Sequence, residues 1–164
     1  MKKIILLFLI LIVIGNLIWL YPKLFGNVLF NVENEETEIG FVTKVIDGDT
    51  IVVNGESVRL LSIDTAEKGE KCFKEAKERL EQLILNKEVI LEKEEKDKDQ
   101  YKRLLRHIFI EETNGEVYVN LLLVKEGLAI ARFYEDKKYK EEILEAEKTA
   151  RGNKMGCKWR DDES

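Results

Sequence analysis

Asp47, Asp49, Asp64, Glu67 and Arg59 fall within the stretch from Ile46 to Glu67, flanked by runs of β-branched and aliphatic residues. Carboxylates crowded into a packed sheet repel one another and are costly to desolvate unless something neutralises them. A hard divalent cation does so with oxygen ligands, and a guanidinium supplies a planar fork that matches a phosphate. The chemistry these residue types point to is cation-assisted cleavage of a phosphodiester. Asp47, next to Gly48, reads instead as a turn residue that bonds its own backbone two positions on. With one histidine and two cysteines in the chain, a zinc site is a poor fit.

Four segments in order carry a resemblance: Ile46-Asp47-Gly48-Asp49-Thr50; Arg59-Leu60-Leu61-x-Ile63-Asp64-Thr65-x-Glu67; Asp99-x-Tyr101-x-Arg103-x-Leu105; and Val119-Asn120-x-x-Leu123-Val124-x-x-Gly127-Leu128-Ala129. Together they resemble the staphylococcal nuclease (thermonuclease) family over Gly40 to Trp159. The resemblance implies an OB-fold, a five-stranded Greek-key barrel with about three packed helices. It implies Ca²⁺ held by Asp49, Asp64, the Thr65 carbonyl and waters, and an oxygen-only shell suits that ion. Glu67 would orient or deprotonate the attacking water. Arg59 and Arg103 would clamp the phosphoryl oxygens as charge builds on them. Tyr101 and Tyr134 would line the substrate cleft, where aromatic stacking tolerates any base.

The implied activity is a Ca²⁺-dependent nuclease acting on DNA and RNA with little sequence preference, leaving a 3′-phosphate and a 5′-hydroxyl. The competing reading is the same barrel without catalysis, a nucleic-acid- or protein-binding module at the membrane; a Ca²⁺-stabilised structural domain is a third. Retention of all five charged site residues favours the enzyme. Two positions depart from the family pattern. Ala66 stands where proline is usual, which loosens the turn before Glu67, and Lys102 stands where glycine is common.

The elements that must position these groups follow from patterning. Residues 40–46 and 50–53 read as strands, and Asn54-Gly55 is a strong hairpin turn leading into a strand over 56–63. Strict alternation along that strand puts Arg59 and Asp64 on opposite faces, so their convergence demands a bend between Leu61 and Asp64. Cys72 to Asn86 reads as a helix with Phe73, Ala76, Leu80, Leu83 and Ile84 on its core face. Strands follow at 88–92, 103–110 and 116–119, with 93–98 as a solvated loop and Arg106 and His107 as surface strand positions. Asn120 is placed to cap a short helix ended by Gly127. A last helix over 137–151 would use Tyr139, Ile143, Leu144 and Ala146.

The termini and the charge balance frame this domain. Ile4 to Tyr21 is almost wholly apolar behind Lys2 and Lys3; at about 1.5 Å per residue it matches a hydrocarbon core of ~30 Å. Residues 1–22 therefore read as an N-terminal transmembrane signal-anchor, with 23–39 as linker, 40–160 as the domain and 161–164 as a tail. A cleaved signal peptide is the alternative, giving a secreted protein. The lysines favour a cytoplasmic N-terminus in the cell membrane with the domain outside, where Cys72 and Cys157 are suited to a disulfide. The chain is expected to be monomeric, with no organic cofactor. Setting aside the three lysines of the first thirty residues takes the net charge from −5 to −8. That is unfavourable for a protein that binds polyanions by displacing counterions, unless its cations are gathered on one face.

Overall fold

The computed structural model describes residues 37–160. The expected anchor over 1–22, most of the linker and the 161–164 tail lie outside them. Among the described residues no helix is long and apolar enough to cross a membrane.

The strands are β1 (Thr37–Val45), β2 (Thr50–Val53), β3 (Glu56–Leu60), β4 (Ile63–Asp64), β5 (Glu88–Glu92), β6 (Leu104–Glu112), β7 (Gly115–Tyr118) and β8 (Ile130–Ala131). The helices are α1 (Phe73–Ile84), α2 (Val119–Lys125), α3 (Lys140–Gly152) and a single turn, α4 (Gly156–Trp159). Sheet order β3-β2-β1-β5-β6-β7 is closed by a parallel pairing of β3 with β6, Arg59 opposite Leu105. Strands β1, β2, β3, β5 and β6 thus form a closed five-stranded barrel in a mixed α/β fold, the OB-type architecture expected, with β7 added outside β6.

Local sequence explains most of this. Asn54 (φ 50°) and Gly55 (φ 88°) take the left-handed conformations that a tight hairpin turn requires. β2 and β3 then pair in register from Thr50–Arg59 to Val53–Glu56. Inside the barrel Val42, Ile51, Val58, Leu60, Val89 and Ile108 are buried. Helix α1 buries Ala76, Leu80, Leu83 and Ile84 against them, the stripe read from the sequence, with Phe73 only partly covered. Cys72 and Cys157 form a disulfide across a sequence separation of 85, tying α4 to the start of α1. Closing so long a loop is worth about 4 kcal/mol in the chain-entropy account.

Five expectations need correction. β1 starts at Thr37, so residues 37–39 are strand rather than linker, and Glu38 pairs with Leu91. Asn120 is not a cap: it lies inside α2, fully buried, accepting the Ile108 N–H (3.1 Å) and donating to the Leu61 carbonyl (2.9 Å). Helix α3 begins at Lys140, and its inner face uses Ala150 while Leu144 is exposed. Arg106 is buried, held by Glu38 (2.9 Å) and Asp97 (2.9 Å). His107 is wholly buried as well, because the segment expected as a solvated loop folds back over β6. Glu94 in that segment meets His107 Nε2 at 2.6 Å and accepts the Lys137 N–H at 3.0 Å.

Candidate active site

The floor of the site is built where β2, β3 and β4 meet. Asp47 Oδ1 accepts the Asp49 N–H (3.2 Å), the turn role read for it. Gly48 permits the close approach this needs, since a Cβ there would stand 2.8 Å from Thr65 Oγ1 and 2.7 Å from the Ala76 methyl. Asp49 is buried, and its Oδ2 accepts the Thr65 N–H (2.8 Å) and hydroxyl (3.0 Å). Burial pushes the Asp49 carboxyl up to about 6, with the Asp47 charge adding to it; the Arg59 guanidinium and the Thr65 bonds oppose but do not cancel the rise.

Arg59 and Asp64 converge because the chain breaks at Ser62, which adopts φ 65° between β3 and β4. Non-glycine residues rarely take that conformation, and here three partners hold it. The Ser62 hydroxyl donates to buried Asp136, its carbonyl accepts the Arg132 N–H (3.0 Å), and the preceding Leu61 carbonyl is held by Asn120. Arg59 consequently spans the two acids, Nη1 to Asp49 Oδ2 at 3.0 Å and Nη2 to Asp64 Oδ1 at 2.9 Å. Two carboxylates fifteen positions apart meet at one cationic group.

Beside this floor opens a cavity of about 330 Å³ whose lining includes Arg59, Asp99, Tyr101, Arg103, Tyr134 and Asp136. Arg103 Nε bonds Asp99 Oδ2 at 2.7 Å, and Asp99 Oδ1 accepts the N–H groups of Tyr101 (2.9 Å) and Arg103 (3.0 Å). Burial works to raise the Asp99 carboxyl, yet these bonds outweigh it and hold the group below its ordinary value. Lys102 takes φ 65°, the conformation glycine adopts without strain, so the loop before Arg103 keeps a glycine-type shape despite the lysine. Tyr101 and Tyr134 are exposed at 71% and 73%.

Comparison with known proteins accords with this geometry. Residues 57–161 match the family described as staphylococcal nuclease homologue. The chain is 36% identical to the thermonuclease of Staphylococcus hyicus over 120 residues, 66% of this chain and 69% of that protein. It is 34% identical to the thermonuclease of Staphylococcus intermedius over 125 residues, 70% of this chain and 72% of that one. It is 34% identical to the micrococcal nuclease of Shigella flexneri over 131 residues, 74% of each.

The chain belongs to the staphylococcal nuclease family.

Of the residues that resemblance singles out, the fold brings together Asp49, Asp64, Thr65 and Arg59 at the floor. It brings together Arg59, Arg103, Tyr101 and Tyr134 at the cavity, and Arg59 is common to both. Glu67 stands apart, exposed on the loop after β4, its N–H donating to Glu70 Oε2 (2.9 Å). Ala66, in the place usual for proline, is buried in the core. Sequence reasoning missed Arg132, whose Nη1 reaches Asp64 Oδ2 at 3.2 Å. It also missed Ser62 and Asp136, which hold the bend. An arginine two positions before Tyr134 was the available signal for the first; a serine at φ 65° left none.

Among the described residues no cluster of three or more His, Cys, Asp or Glu side chains is disposed to hold a metal ion. The floor offers two carboxylates. Their donor set is all oxygen, and Asp49 keeps a raised pKa even with Arg59 beside it. A buried acid left short of positive charge fits a hard divalent cation.

Proposed function

We propose that this protein is a Ca²⁺-dependent nuclease that hydrolyses phosphodiesters in DNA and RNA with low sequence specificity, giving 3′-phosphate and 5′-hydroxyl ends. The observation that carries the reading is Arg59 bridging Asp49 and Asp64 at the edge of a cavity that Arg103 also lines. Family relatives that bear the names thermonuclease and micrococcal nuclease support it.

In this account Asp49, Asp64 and the Thr65 carbonyl would hold the ion, which would supply Lewis-acid polarisation of the phosphate and of the attacking water. Glu67 accepts or orients the water proton on the face opposite the leaving 5′ oxygen. Arg59 and Arg103 donate to the equatorial phosphoryl oxygens as their charge grows, Arg59 from a position fixed by the Leu60 carbonyl (3.1 Å). Tyr101 lies beside the 5′ phosphate and Tyr134 beneath a base. Arg103 lies over the Tyr101 ring, 5.3 Å from its centroid, so two groups that face phosphate are set by one loop. The negative charge of the domain implies that binding leans on the ion and on these few cations rather than on a broad basic surface.

The Cys72–Cys157 disulfide supports placing the domain in an oxidising compartment. We propose a monomer held in the cell membrane by residues 1–22, or secreted if that segment is cleaved. The activity test is incubation of the full chain with single-stranded DNA plus Ca²⁺ or chelator. Chelator-sensitive cleavage, lowered about 10²–10³-fold in Glu67→Ala and in Arg103→Ala, is expected. Binding without turnover would support the inactive module instead.

A further inference from the structure

Asp64 is shared by two arginines, Arg59 on Oδ1 at 2.9 Å and Arg132 Nη1 on Oδ2 at 3.2 Å. Arg132 follows β8, which pairs with β4 so that Ile130 faces Asp64. Its N–H donates to the Ser62 carbonyl (3.0 Å), so its backbone is fixed to the same bend that joins Arg59 to Asp64. Arg132 Nε donates to the Tyr134 hydroxyl at 3.0 Å, and the guanidinium lies 5.7 Å from that ring's centroid. Its side chain therefore connects the acid floor to the wall of the cavity.

We propose that Arg132 is a substrate-positioning residue: it leaves Asp64 when a cation claims that carboxylate and binds a phosphate of the nucleic-acid strand beside Tyr134. The inference rests on the nuclease reading above. Both Asp64 oxygens already accept a guanidinium N–H, so a cation ligated there competes with the two arginines for the carboxylate. Arg59 is the tighter held, with its side chain 13% exposed and a further bond to the Leu60 carbonyl. Arg132 is 52% exposed, and a water-exposed ion pair is worth little. Arg132 is the group that yields. Its tether to Tyr134 keeps it at the mouth of the cavity, where Glu94, Glu95 and Glu135 add negative charge. A strand phosphate there needs a mobile cation, and a planar fork suits it.

The test uses the full chain and a fluorescein-labelled single-stranded decanucleotide with phosphorothioate linkages, its binding followed by anisotropy across a salt series with Ca²⁺ or with chelator. Arg132→Ala is expected to weaken binding about tenfold in Ca²⁺ and less than twofold in chelator. It should reduce the salt slope by about one. On cleavable DNA its KM rises in step while kcat stays within about threefold, and Arg132→Lys restores the slope. An unchanged salt slope in Arg132→Ala, an equal loss with and without Ca²⁺, or no rescue by lysine overturns the proposal. A wild-type chain that neither binds nor cleaves overturns the nuclease reading itself, and this one with it.

Discussion

Two buried polar regions of this barrel look alike by composition and behave differently. One is the Asp49–Arg59–Asp64 floor. The other is the His107 network, in which Glu94 holds one ring nitrogen at 2.6 Å and the Tyr118 hydroxyl holds the other at 2.6 Å. Tyr139, edge-on to the same imidazole at 4.8 Å, donates to Glu92 at 3.0 Å. In the His107 network burial pushes the imidazole and both phenols toward their neutral forms. Burial lowers the histidine against the pull of Glu94, Glu92 and Asp136, raises the Tyr118 phenol well above its usual range, and pushes Tyr139 up to about 12. The donors of this network are matched to acceptors within it, and Glu94 is where it meets the cavity. The floor holds two carboxylates against buried Arg59 and half-exposed Arg132, and opens on a cavity. Burial of polar groups alone does not mark a functional site; charge compensation that rests on an exposed, displaceable group beside an opening does.

Breaking each region separates their roles. The largest effect is expected for Arg59→Ala, which removes both the link between the acids and a donor to the phosphate. Its kcat on single-stranded DNA should fall about 10³-fold, and retention of more than a tenth of wild-type activity would deny Arg59 its place in the chemistry. Next in size, His107→Phe keeps the shape but leaves Glu94 and the Tyr118 hydroxyl without their partner. Unfolding free energy from urea titration should drop by about 2–3 kcal/mol, with kcat at low temperature within about threefold of wild type. A specific loss of kcat with stability intact would move His107 from the scaffold into the site.

The smallest effect sharpens the contrast through pH. Asp49 binds its proton more tightly folded than unfolded, where its ordinary value is 3.8, so its contribution to stability is present below that value and lost as pH rises through about 6. His107 has the opposite sign. Its folded value is depressed below 6.5, so its contribution is present above 6.5 and lost as pH falls. A cation competes with the Asp49 proton, so Ca²⁺ affinity should be flat above pH 6 and fall about tenfold per unit below it. In His107→Phe the acid loss of stability should shrink while the Ca²⁺ profile stays put. A common shift of both profiles would show that the two regions are coupled.

The barrel was legible in the sequence because its determinants are local: β-branched strands, the Asn54-Gly55 turn and the helical stripe of Ala76, Leu80, Leu83 and Ile84. The demand for a bend before Asp64 was legible too, since alternation alone separated Arg59 from it. The device that meets that demand was not. Ser62 has no propensity for φ 65°, and its conformation is imposed from far along the chain by Asp136, Arg132 and Asn120. β6 misled for a related reason. In a two-faced strand, Arg106 and His107 should not both be covered, but here the barrel takes one face and the returning 93–98 and 137–139 segments take the other. Leu144 was placed inside because an apolar residue beside Ile143 fits a broad stripe; the structure uses the smaller Ala150, which lets α3 pack closely.

The claim beneath all of this is that Asp49 and Asp64 act together on one cation. Isothermal titration of Ca²⁺ into the full chain at pH 7.5 tests it directly. The account predicts one bound ion per chain, abolished in both Asp49→Asn and Asp64→Asn while the fold is retained. Binding that survives either substitution with unchanged affinity would contradict it.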